Sequence, residues 1–137
     1  MIPRLLDKAG IRNRVIAVPA CYSGGWFAPL ANDNTLVLTA ADATHTSYGC
    51  GRLSKLTYFG RALFDEQLRK TRSFEKAFAN AVPLIKQREI DAGKDDGFSN
   101  PQISVGSGIR PLLKSLEQRL EALPPAPPTV QESPATK

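Results

Sequence analysis

The chain has 137 residues, 42% hydrophobic and 23% charged, with a formal net charge of +5. That length fits one domain able to bury a core, and no apolar run is long enough to span a bilayer. The basic residues are interleaved with acids from Arg4 to Lys137, which reads as a solvated surface and argues against nucleic acid as a partner.

The first residues lack the compact apolar stretch and cleavage site of a signal peptide, and the compartment stays open. Ile2 to Gly10 reads as a short helix, with Leu5, Leu6 and Ala9 at helical spacing and Gly10 as its stop. Val15 to Ala20 is apolar and β-branched, which predicts a buried strand. Trp26 to Asn34 is a loop or short helix with an Asn-Asp-Asn turn signal. Thr35 to Ala40 predicts a second buried strand. Asp42 to Leu56 has no period and reads as a long surface loop, the kind of segment that carries function.

Thr57 to Arg69 predicts a helix with Phe59, Ala62, Leu63, Phe64 and Leu68 inward. Ser73 is the expected N-cap of the next helix, and Glu75 lies in its first turn. Its apolar stripe is Phe74, Ala77, Phe78, Ala81, Val82, Ile85 and Ile90, and Pro83 is expected to kink or divide it. Ile103 to Val105 is a short strand, placed at a sheet edge by Pro101. Pro111 sits early in a last helix with Leu112, Leu113, Leu116 and Leu120 on its apolar face. Five of the 11 prolines fall between Pro124 and Pro134, so residues 1–123 are read as the folded part and 124–137 as a disordered tail. The element order suggests an α/β layer structure with a mostly parallel sheet. Three strands and an opening helix suit the second half of a larger domain.

Chemistry is suggested where the first strand stops, at Ala20-Cys21-Tyr22-Ser23-Gly24-Gly25. Reacting groups gather at strand ends in open α/β sheets. A thiol there is a candidate nucleophile, its own N–H is a candidate oxyanion donor, and the glycines admit a substrate. The competing reading is a buried, inert cysteine. His45 is the one imidazole in the chain; it is either a base folded back onto Cys21 or a solvated loop residue. With Cys50 the only other cysteine, there is neither a disulfide framework nor metal-ligand spacing, and no metal or cofactor is expected.

Val15 to Phe27, Leu38-Thr39-Ala40-Ala41-Asp42, Ser47-Tyr48-Gly49-Cys50, Thr57-Tyr58-Phe59-Gly60 and Asn100 to Gly106 together resemble the legumain-like cysteine peptidases, bacterial branch. The match runs from about Ile11 to Leu123. The first four motifs, in order, are more specific than one, and Asn100 to Gly106 resembles a segment common in the bacterial branch. The resemblance implies a caspase-like α/β fold, a peptide substrate and a Cys-His dyad with Cys21 as nucleophile. The family's base is a histidine in a His-Gly pair ending the preceding strand, and residues 1–20 contain no histidine. The family's specificity pocket falls on Pro19, Ser47 and Arg61, where only the serine keeps its usual chemistry. The expectation is therefore a peptidase fragment carrying the nucleophile but not the base, inactive alone. Its open sheet edge favours self-association. A non-catalytic interaction module on the same fold is the alternative. Complete relatives of this branch are often exported or membrane-associated.

Overall fold

The computed structural model describes residues 2–51 and 54–125. The regular elements are α1 (Ile2–Lys8), β1 (Arg14–Val18), a 3-10 turn (Ser23–Trp26), α2 (Phe27–Leu30), β2 (Thr35–Thr39), α3 (Tyr58–Gly60), α4 (Phe74–Asp91), β3 (Gln102–Val105) and α5 (Ile109–Glu121). The expected proline-rich tail lies, from residue 126 on, outside the described residues.

The sheet has the order β1-β2-β3. β1 pairs parallel with β2, and β3 returns antiparallel on the other side, so β3 is an edge strand, as Pro101 implied. β2 is the only one of the three with a strand on each side. Leu36 and Leu38 are fully buried in a core shared with Phe59, Ala62, Leu63, Ala77, Phe78, Ala81, Ile85 and Ile109. The alternate residues Thr35, Val37 and Thr39 point to the opposite face, as a strand's period of two requires, and are equally buried. This is a layered α/β fold of caspase-like type.

β1 differs from expectation. It was read as a buried strand, yet only Arg14 is buried, and Val15 is 42% exposed. The Arg14 N–H donates to Asn34 O and the Ala40 N–H to Val18 O. By the parity of a parallel ladder, Val15 and Ala17 turn their backbone groups away from β2. Among the described residues no strand meets them. α1 is joined to β1 by the Arg14 guanidinium, which donates to Asp7 and, at 2.7 Å, to Ile11 O. No side chain of α1 is buried.

The helix expected over Thr57–Arg69 has that extent but not a regular ladder. After α3 it continues as a π-helical segment, Arg61–Glu66, and a 3-10 turn, Gln67–Arg69. The wider π turn keeps Phe59, Leu63 and Gln67 inside and leaves Phe64 46% exposed, correcting its inward placement. α4 is capped by the Ser73 hydroxyl, which accepts from the Lys76 N–H. It is not divided at Pro83, which lies on its exposed face. The buried series Ala77, Ala81, Ile85 continues four residues on at Glu89, not at Ile90, which is 61% exposed. Glu89 accepts from the Ser99 N–H at 3.0 Å and so anchors the loop that follows α4.

Candidate active site

Beyond β1 the chain passes through Pro19 and Ala20 to Cys21, which is exposed. The inert, buried reading of this cysteine therefore fails. Tyr22 takes a left-handed conformation, φ 56°, which costs a bulky residue about 1–3 kcal/mol and turns the chain sharply after the thiol. Among the described residues no acceptor is bonded to the Cys21 N–H.

The turn at Cys21 lies along the loop that follows β2, contact by contact. The Ser47 N–H donates to Cys21 Sγ at 3.4 Å, and the Ser47 hydroxyl and carbonyl oxygen each lie 3.6 Å from the sulfur. The Tyr22 N–H donates to His45 O at 2.9 Å. Ser23, fully buried, exchanges hydrogen bonds with the Ala41 backbone. Gly24 sits so close that a Cβ there would lie 2.5 Å from Ala43 N. That near contact is the physical reason for a glycine three residues after the cysteine.

His45 is not joined to Cys21. Its Nδ1–H donates to the Asp42 carboxylate at 2.8 Å, and the far edge of its ring lies against Gly97. The reading of His45 as the base on Cys21 thus finds no hydrogen bond to stand on. Asp42 also accepts from the Thr44 N–H, the Thr44 hydroxyl, the His45 N–H and the Asn100 side-chain amide. Partial burial pushes its carboxyl up, but these donors together outweigh it and hold the group well below the usual carboxylate range.

Of the residues assigned to substrate binding, Ser47 is buried against the thiol, and Pro19 is exposed at the end of β1. Arg61 is paired within its own helix: its Nε donates to Glu66 at 3.0 Å, with the side chain 61% exposed. Arg88 shares the same carboxylate, and its hydrogen bonds hold Glu66 below the ordinary range against partial burial, with Arg61 adding to the effect. Asp42 and Asn100 were not singled out from the sequence. The signal for Asp42 was the short polar spacing Asp42-Ala43-Thr44-His45, an Asx-turn pattern. Asn100, at φ 55°, precedes a proline and opens one of the matched segments, but neither marks it as a partner of Asp42. Among the described residues no three His, Cys, Asp or Glu side chains gather to hold a metal.

An exposed thiol just past a strand end of a layered α/β fold is the setting in which cysteine nucleophiles work. The chain belongs to the peptidase C13 family, that of legumain, whose sequence model matches residues 2–107. No curated protein matches it significantly.

Proposed function

We propose that this chain is the nucleophile-bearing part of a cysteine peptidase and that it does not cleave peptides by itself. The observation that carries this reading is the setting of Cys21: exposed, at the end of β1, its sulfur aligned on Ser47 and its N–H open. In this reading the thiol attacks a peptide carbonyl, and the Cys21 N–H stabilises the oxyanion. Ser47 contacts the substrate side chain. The proton of the thiol must pass to a base, and the chain's single imidazole is held by Asp42. The base is then supplied by a segment that adds to the open edge of β1, next to the nucleophile. Where that segment is absent, the same edge pairs copies of the chain with one another.

The test uses reporter peptides with asparagine or aspartate before the scissile bond. The chain alone is expected to give no turnover above buffer. Loss of a base and a donor costs several orders of magnitude by analogy with dismantled catalytic triads. Joining the chain to the N-terminal half of a relative that carries the His-Gly pair should restore turnover, and Cys21→Ala should abolish it. Turnover by the chain alone that Cys21→Ala removes would overturn the need for an added base. A joined protein that folds but stays inactive would favour the non-catalytic module.

A further inference from the structure

We infer that Asp42 is a positioning residue for the nucleophile: it sets the loop from Asp42 to Ser47, and that loop in turn fixes Cys21 and Tyr22. The inference rests on the reading of Cys21 as nucleophile. It concerns residues to which that reading gives no role.

The Cys21 sulfur touches the rest of the chain through Ser47, and the amide of Tyr22 through His45. Both holding groups lie in a stretch without helix or strand, where nothing in a regular ladder keeps them in place. The carboxylate of Asp42 supplies what the ladder does not. Its Oδ1 gathers the amides of Thr44 and His45, both at 2.9 Å, which fold the loop back on itself. Both its oxygens meet His45 Nδ1, so the residue whose carbonyl receives Tyr22 is gripped by backbone and side chain together.

The same carboxylate is tied outward. Asn100 Nδ2 donates to Oδ2 at 3.1 Å, and the Asp42 N–H donates to Ser99 O at 2.9 Å. Ser99 in turn gives its N–H to the buried Glu89 of α4. A second tie joins the Thr46 hydroxyl to Asp96. The Tyr22 amide beside the nucleophile is thereby referenced to the longest helix of the fold through His45, Asp42, Ser99 and Glu89, and Ser47 follows two residues after His45 in the same loop. A hydrogen bond to a charged acceptor is roughly twice as strong as a neutral one, which suits a carboxylate to the centre of such a hub. The arrangement also assigns His45 a place. It is a clamp on the loop, held by Asp42, rather than a proton acceptor for the thiol.

The experiment follows amide exchange by NMR on the full 137-residue chain with Cys50→Ser as background, together with alkylation of Cys21 by iodoacetamide at pH 7. Asp42→Ala is expected to speed exchange of the Tyr22 and Ser47 amides tenfold or more. The Leu36 and Leu38 amides of β2 should keep their rates. Alkylation should change in rate at least threefold, because the Ser47 N–H, hydroxyl and carbonyl no longer hold the sulfur in one place. Asp42→Asn keeps one acceptor oxygen for the two loop amides and should recover most of the protection. Asn100→Ala, which removes a single outward tie, should give a smaller change at the same amides, and guards against a variant that fails to fold. Unprotected Tyr22 and Ser47 amides in the parent chain would overturn the inference. So would unchanged exchange and alkylation in Asp42→Ala, or equal acceleration of the β2 amides. None of these readouts needs peptide cleavage, so they stand apart from the fate of the proposed function.

Discussion

The stretch from Ile2 to Trp26 and the stretch from Thr57 to Asp91 are both rich in apolar side chains, but only the second packs them. Phe59, Ala62, Leu63, Ala77, Phe78, Ala81 and Ile85 close on β2. Ile2, Leu5, Ile11, Val15, Tyr22 and Trp26 all remain substantially exposed, and no side chain of α1 is buried. The difference is one of layers. β2 has a strand on each side and helices packed on it, whereas β1 has a strand on one side only. The exposed apolar side chains thus cluster in sequence around β1, which among the described residues pairs with β2 alone and leads to Cys21.

Four changes would sharpen or break this contrast. The largest effect is expected in the packed half. Phe59→Ala empties a fully buried ring and should cost about 3–5 kcal/mol, read as a lower denaturant midpoint. A cost below 1 kcal/mol would mean that the helices do not close on β2 as described. Next comes Gly24→Ala, where the first region meets the loop that follows β2. Its methyl would press on the Ala43 backbone and should cost about 1–3 kcal/mol as overpacking. It should also disturb the Tyr22 and Ser47 amide signals; unchanged signals would show that the nucleophile turn and the loop do not abut.

A smaller effect should follow pH. Asp42 and Glu66 have folded-state pKa values below their unfolded ones. Their contribution is therefore present above the unfolded values, about 3.9 and 4.3, and is lost as pH falls through the depressed folded values. The melting temperature should hold between pH 7 and 5 and decline below about 4. The Asp42→Asn, Glu66→Gln double variant should show a shallower decline; an identical acid profile would remove these two carboxylates from the account. The smallest change in stability belongs to β1: Val15→Lys should shift the unfolding free energy by no more than about 0.5 kcal/mol, as exposed substitutions do. The same charge on the open edge should reduce self-association in sedimentation velocity. Association that is strong and insensitive to this change would place the contact elsewhere.

The fold was legible wherever period and punctuation agree. β2 was found from its unbroken apolar run, the start of α4 from the Ser73 cap, and the edge position of β3 from Pro101. What misled was burial on the helices. The π segment moves Phe64 outward, which a pattern assuming 3.6 residues per turn does not show, and in the regular α4 the buried row ends on Glu89, tied to Ser99, where hydropathy favoured Ile90. β1 misled for another reason. Its residues are those of a buried strand, but burial depends on neighbours, and hydropathy does not say which neighbours are there. The site was half legible. Cys21 and Ser47 stand out by chemistry and position. Asp42 acts through hydrogen bonds to residues two, three and 58 positions away, and only the nearest of these leave a mark in local sequence. Arg61 was assigned to the pocket by resemblance, yet Glu66, five residues on, holds it on the helix surface.

The arrangement of the three strands also imposes an order in time. β1 and β2 are separated by one short turn-and-helix connection, so their pairing closes a small loop. β3 reaches β2 only after α3 and α4 have been made. Because closure entropy grows with the length enclosed and must be met before the contact rewards it, the parallel pair is expected to form early and β3 to arrive late. During synthesis the strand that leads to the thiol therefore emerges and pairs while the far edge of β2 is still bare. For that interval the central strand of the mature fold is itself an edge, and the helices that will cover it have yet to leave the ribosome.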